Sequence, residues 1–346
     1  MPDRDLDEDL PIVDEIGARL DALFHAHAQD GPAPAAAPSG SARPSATASR
    51  GRRFRRRLGA VRPRVLAAGG LVAAALLFAV FLTADGEVGP RPASAAEVLH
   101  RLASTAAAQD DRVPADDEWY TVRARASNLV TAATPGTGGI TAVVVKDRRI
   151  WISAGRRGRL EERIRDTRFL TPVAQAAWKR AGSPPIGRSP ATAGAIAIAA
   201  TGTYRLGAAR LSRAELLALA ADVEQLLAVL GLTGASASER FTAIGDALRE
   251  APAPAGVRAT LVRALSDVPG VTALGELQDP AGRAAVGVAV TERGLRNELL
   301  FDPSTSEVLA ERRIAVAPAD AGLDVPRDAV IGETVYAARE VVDTLP

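Results

Sequence analysis

Apolar positions recur at helical spacing in the early and middle parts of the chain and at every second residue on either side of that middle. Near the N-terminus, Ile12, Ile16, Leu20, Leu23 and Phe24 follow a period close to 3.6, which predicts a short amphipathic helix over residues 10–28 with an acidic face. Val98, Leu99 and Leu102 predict another helix over Ala95–Ala108. Over Glu118–Val130 the period falls to two, with Tyr120, Val122, Ala124 and Ala126 on one face against Thr121, Arg123 and Arg125. Ile140–Ser153 and Arg159–Phe169 read as strands of an antiparallel hairpin around Ala154–Gly158.

The middle of the chain returns to helical spacing. Ser212-x-x-Glu215 is a capping box ahead of Leu216, Leu219, Val223, Leu226 and Leu230, with Gly231 as the stop; the pattern predicts a single helix. Ser236-x-x-Glu239 repeats the signature before Phe241, Ile244 and Leu248, and Val257, Leu261 and Leu265 mark a helix ending near Pro269-Gly270. From Val271 onward the period is two again. Val286, Val288 and Val290 are followed by Leu295, Asn297, Leu299 and Phe301, then by Val308, Ala310, Arg312 and Ile314, and Val335–Leu345 gives a last strand. The turns fall at Asp279–Gly282, Arg293-Gly294 and Asp302–Thr305. Short links between neighbouring strands predict an antiparallel meander, and the class is α+β: one curved antiparallel sheet, half-barrel-like, with helices packed on one face.

Val65–Ala84 passes without a charge and without either period. Twenty helical residues rise ~30 Å, the thickness of a bilayer's hydrocarbon core. Its Leu, Val and Phe residues contribute about −3 to −6 kcal/mol toward insertion. Arg50–Arg64 places eight arginines and no acid against one end, with Asp85 and Glu87 beyond the other. Positive charge beside a span stays cytoplasmic, so the sequence predicts a single-pass cell-membrane protein with residues 1–64 inside and a C-terminal extracytoplasmic domain. The span reads as an uncleaved signal-anchor, because it starts far from the N-terminus and Ala93-Ser94-Ala95, an A-x-A-like stretch, lies well past its apolar core. Gly69-x-x-x-Ala73 and Gly70-x-x-x-Ala74 have the spacing that lets helices approach, a spacing an alanine-rich span also produces by chance.

The expected organisation is therefore an acidic cytoplasmic segment over 1–30, a disordered tether over 31–64 ending in the arginine block, the transmembrane helix at 65–84, a linker at 85–94 and the extracytoplasmic domain at 95–346. Net charge is only +1, yet residues 1–30 carry nine acids against Arg4 and Arg19. Lys146 and Lys179 are the only lysines among 42 basic residues, a coding bias against reading scattered arginines as nucleic-acid contacts, and no nucleic-acid partner is expected.

Chemistry is sparse. The absence of cysteine removes thiol catalysis, thiolate metal sites and disulfides, so a domain of this size rests on its core. His25 and His27 lie in the tail, and His100 stands alone on its helix. Neither lysine follows a glycine, no G-x-S-x-G or S-x-x-K occurs, and Gly136–Gly139 precedes a strand, unlike a dinucleotide fingerprint. Asp110, Asp111, Asp116, Asp117 and Glu118 cluster beside Trp119 without the spacing or glycine of a calcium loop, and read as solvated. No catalytic, cofactor-binding or metal residue is expected.

Several elements in order carry a resemblance: Ala95–Leu99 just past a single span, the Trp151-Ile152-Ser153 and Gly158-Arg159 hairpin, Phe241, Ile244 and Leu248 ahead of Val257-Arg258-Ala259, the Phe301-Asp302-Pro303 turn, and Val335-Tyr336 with Val341–Asp343. Together they resemble an uncharacterised family of actinobacterial single-pass membrane proteins, which has no established activity to carry over. More distantly the order is similar to the half-barrels of lipoprotein carriers and sigma-regulator sensors, a likeness of fold alone. The expected function is a membrane-anchored sensing or binding domain that is not an enzyme, with a lipid or peptide ligand on its sheet. A second expectation is an anti-sigma-like regulator that captures a cytoplasmic partner through residues 10–28. A cell-envelope hydrolase is the third, and would need paired carboxylates in an outer cleft.

Overall fold

The computed structural model describes residues 93–132, 139–188, 194–219 and 222–346. The tail helix expected over 10–28, the tether, the arginine block and the uncharged run Val65–Ala84 lie outside them. Among the described residues no helix is long and apolar enough to cross a membrane.

The architecture is α+β, built on a large curved antiparallel sheet. Four helices frame its helical layer: α1 (Ala95–Ala107), α2 (Pro172–Arg180), α5 (Ala237–Glu250) and α6 (Ala255–Ser266), with the short α3 (Arg213–Ala218) and α4 (Val223–Val229) between. The strands are β1 (Trp119–Ala132), β2 (Ile140–Ile152), β3 (Gly158–Arg168), β4 (Ile196–Ile198), β7 (Thr272–Gln278), β8 (Ala284–Glu292), β9 (Leu295–Phe301), β10 (Val308–Ala315) and β11 (Ala329–Val342), in the order β4-β3-β2-β1-β11-β10-β9-β8-β7. A separate hairpin pairs β5 (Tyr204–Leu206) with β6 (Ala209–Leu211). Two meanders, β1–β4 and β7–β11, thus become one sheet where the first long strand pairs with the last, from Trp119↔Val342 to Asn128↔Gly332.

The helices cover one face. The alternation expected in β1 holds in part: Tyr120 and Val122 are buried beneath the helices and Arg123 is exposed, but Thr121, expected on the polar face, is buried too. α1 starts at a capping box in which the Ser94 hydroxyl accepts from Glu97 N at 3.2 Å while the Glu97 carboxylate accepts from Ser94 N at 2.7 Å. It buries Val98, Leu99, Leu102, Ala103 and Ala106 against α6. α6 is buried nearly all round, between α1 and α5, and its Leu261 and Leu265 are fully covered. Each such leucine contributes roughly 1.5–3 kcal/mol of burial. α5 lies over β8–β10, where Gly245 leaves room for Leu299; a Cβ there would come within 3.1 Å of its Cδ2. At the far end of the sheet, α2 and Ile186 cover Ile140, Ala142 and Val144.

Three elements differ from their expected form. The helix expected to run from Ser212 to Leu230 is two: Leu219 is extended (ψ 121°), and Asp222 caps α4 by accepting from Gln225 N at 2.8 Å. The set Val308, Ala310, Arg312 and Ile314 does not share a face, because an irregularity between Val308 and Ala310 sends Val308 under the helices and Ala310 to the opposite side. The last strand begins at Ala329, six residues before the expected start at Val335. The turns at Asp279–Gly282, Arg293-Gly294 and Asp302–Thr305 form as expected.

Candidate functional site

The helix-bearing face has little room for a ligand of the kind a curved sheet invites. Its apolar positions are filled by the chain's own helices, as two clusters: one under α1, α5 and α6, the other under α2. Between the clusters the face is charged. Lys146 Nζ donates to Glu162 at 3.1 Å, Arg313 donates to Asn297 at 3.1 Å, and Glu311 takes an ion pair from Arg249 on α5 and a 3.3 Å hydrogen bond from Tyr336. A groove of about 860 Å³ runs along α1, lined by Ala93, Ala96 and Val223 together with Glu97, His100, Arg101, Arg263, Ser266 and Asp267, and its wall exposes more apolar than polar surface. The lone His100 is exposed on that groove, away from any second histidine among the described residues.

The acidic cluster expected beside Trp119 is not brought together. Asp111 reaches across the fold to accept from Ala255 N at 2.6 Å, capping α6, whose own N-cap is Pro254 and supplies no side chain. Glu118 turns back to accept from Ala115 N at 2.8 Å. Among the described residues no group of three His, Cys, Asp or Glu side chains converges as a metal ion would require.

A different set of residues does converge, and it is cationic. Where the α1–β1 connection, the α5–α6 junction, the β9–β10 turn and β11 meet, Arg112, Arg258 and Arg339 surround Glu307, Ser306 and the Tyr120 ring. They enclose a cavity of about 20 Å³ with Leu248 and Ala251–Ala253. β11 sets Arg339 opposite Val122 on the helix-bearing face, and only 6% of its side chain is exposed. It donates to Val308 O at 2.8 Å and to Arg249 O, near the C-terminal end of α5, at 3.3 Å, and its guanidinium lies 4.4 Å over the Tyr336 ring. Its remaining charge faces Glu307 at 3.9 Å, and Arg112 forms the closer pair with that carboxylate. Arg258 enters from α6 and donates to Asp110 O at 3.2 Å.

The electrostatics follow from burial. Loss of solvent depresses the Arg258 pKa, and the neighbouring Arg112 pushes the same way. Burial raises the Tyr120 hydroxyl above its ordinary value, against the pull of Arg339. Ser306 sits in the left-handed region at φ 60°, its hydroxyl buried and without a hydrogen-bond partner, and Arg258 Nε is likewise buried and unpartnered. Three guanidiniums against Glu307 and Asp111 leave one positive charge over. The guanidiniums stay protonated at physiological pH and supply donors and charge, and Glu307 is the carboxylate beside Ser306.

None of these six positions stands out in the sequence. In a chain where arginine replaces nearly every lysine, Arg112, Arg258 and Arg339 look like ordinary surface cations. The available signal was the unusual N-terminus of α6, a helix without a capping side chain of its own, which had to borrow one from elsewhere. No family model matches the chain, and neither curated proteins nor solved structures yield a match.

Proposed function

We propose that the chain is a single-pass cell-membrane protein whose extracytoplasmic α+β domain binds or senses a polar ligand, and that it is not an enzyme. One observation carries the topology: eight arginines abut twenty uncharged residues, and α1 begins ten residues beyond Asp85. The choice of a polar ligand over a lipid is supported by a sheet face filled by its own helices and by a cationic nest with unpartnered donors. On this reading the sheet is of the half-barrel kind, and the chain falls with the actinobacterial single-pass proteins it resembles. The acidic segment at 10–28 then supplies an output, a cytoplasmic regulatory protein held on the inner side of the membrane.

The natural absence of cysteine makes the test clean. Ser45→Cys and the exposed Thr201→Cys are each introduced into the full chain, and intact cells are treated with a membrane-impermeant maleimide. Labelling of Thr201→Cys alone is the expected result. Labelling of Ser45→Cys, or of neither until the cells are opened, removes the topology and the proposal with it. Crosslinked purification of the full chain beside a version lacking residues 1–49 then tests the output; a soluble protein captured only by the full chain is expected.

A further inference from the structure

We propose that the first meander, on its face away from the helices, binds a tetrahedral oxyanion, the phosphate or sulfate group of a polar ligand, between Arg123 and Arg149. The site supplies the polar group that the proposed binding domain takes, and in that respect rests on the proposed function. It does not depend on the membrane topology.

Strand register places the residues. Thr121 on β1 is opposed by Trp151 on β2 and by Glu340 on β11, and Trp151 is opposed by Arg159 on β3. Two residues along each strand, Arg123 is opposed by Arg149, and Arg149 by Glu161. Ile150 and Ile152 pack toward the helices, so Arg149 and Trp151 face the other way. Directly opposed residues of an antiparallel pair have Cβ atoms about 4.5–5.5 Å apart. The Arg149 guanidinium lies 4.4 Å over the Trp151 ring, which it helps to bury completely.

Like charges set directly opposite each other destabilise a sheet, and the same face avoids them in its next row. There Asp147 stands between Arg125 and Arg163 and accepts from Arg125 at 3.1 Å and from Arg165 at 2.5 Å. The row of Arg123 and Arg149 has no such bridge. Glu161, the acid opposed to Arg149, turns to Arg159 instead, whose other terminal nitrogen donates to Pro346 O at 2.8 Å. Arg149 makes no ion pair among the described residues, and its buried Nε bonds to nothing. Arg123 reaches only Glu340, at 3.7 Å, longer than a hydrogen bond. A local rule kept in one row and broken in its neighbour marks a place where function outweighs stability. An anion between the two guanidiniums relieves the repulsion.

The donors select an oxyanion. Each guanidinium presents parallel N–H groups that fit two oxygens of one ligand group, which a carboxylate, phosphate or sulfate offers. Arg123 is 49% exposed on its side chain, so the ligand arrives from solvent and no wall limits its size. Charge then separates the candidates. Counting Arg159 and the next row, six guanidiniums stand against Glu161, Glu340 and Asp147, which favours a dianion over a carboxylate. With Trp151 fully covered, its ring has no free face for an aromatic ligand, and recognition falls to the anionic group.

The full-length chain in detergent is titrated at constant ionic strength with sodium phosphate, sulfate or acetate, and tryptophan fluorescence is followed. A saturable change with phosphate or sulfate is expected, with acetate binding about tenfold more weakly or not at all. Arg149→Gln and Arg123→Gln should each weaken phosphate or sulfate binding at least about tenfold, whereas Arg327→Gln, at an exposed site in another part of the fold, should leave it unchanged. In buffer free of oxyanions Arg123→Gln should melt at or above the parent temperature, because it removes the repulsion; a merely structural arginine would lower it. A response to phosphate alone or to sulfate alone names the group. No saturable response, equal binding by both variants, a lower Tm of Arg123→Gln without oxyanion, or binding of phosphatidylglycerol vesicles without any response to the free ions overturns the proposal. Each of these outcomes leaves the maleimide result, and with it the topology, untouched.

Discussion

At the scale of single residues, the stability of this fold turns on carboxylates held among arginines. Glu298, on the sheet face opposite the helices, is 2% exposed and is clamped by Arg296 Nε at 2.7 Å and Arg312 Nη2 at 2.6 Å. Replacing it by glutamine leaves two guanidiniums facing each other over a buried position. Because both arginines retain some solvent, the expected loss lies near the low end of the range for broken buried pairs, about 2–3 kcal/mol, read as a lower urea midpoint at unchanged slope. Glu333 is the opposite case. Burial lifts its pKa above the ordinary glutamate value despite Arg312 and Arg168, so the folded chain holds that proton more tightly than the unfolded chain does. Its contribution is favourable at low pH and is lost as pH rises through the folded pKa. Glu333→Gln should therefore melt higher than the parent at pH 7 and together with it at pH 4. A variant melting lower at pH 7 would show that the Arg312 contact outweighs the burial.

At the scale of elements, what periodicity can and cannot report is visible in α3 and α4. Leu216 and Leu226 are both fully buried, and the apolar spacing runs through Leu219 and Val223 without a gap. Spacing reports which side chains face the core and is blind to a kink that keeps them there. The break was encoded by Asp222, three residues ahead of Gln225, whose amide it caps at 2.8 Å. Asp222→Ala should cost about 1 kcal/mol, with the loss confined to the amides of α4 in hydrogen exchange. The β8–β9 hairpin was legible for the converse reason. Its turn needs two successive residues at positive φ, and Arg293 (φ 47°) and Gly294 (φ 75°) adopt them. A Cβ on Gly294 would also come within 2.1 Å of Ala317 O. Gly294→Ala is expected to cost more than about 2 kcal/mol by urea unfolding, and a loss below about 1 kcal/mol would mean that the 316–322 loop yields freely.

At the scale of the whole molecule, what the sequence concealed was closure. Each strand announces itself by its own alternation, and each hairpin by its own turn. Nothing local says that β1 pairs with β11 across more than two hundred intervening residues. The arginine nest shares that origin, since Arg112 and Tyr120 come from the first meander's start, Arg339 from the last strand and Arg258 from the helix between. Both the sheet and the nest therefore depend on the same non-local pairing, whose loop-closure entropy must be met before its contacts form. Ending the chain at Asp328 removes β11 and leaves β1 and β10 as unpaired edges beside an incomplete core. Such a chain should lose its cooperative melting transition and aggregate, whereas removal of Thr344–Pro346 alone, which forfeits one exposed hydrogen bond from Arg159 to Pro346 O, should shift stability by less than about 0.5 kcal/mol. In the intact chain, amides of β1 and β11 should exchange only through global unfolding, at the same free energy as those of β9. Exchange of the β1–β4 meander at distinctly lower free energy would mean that the two meanders fold as separate units, and the nest, which spans them, would then open with the weaker one.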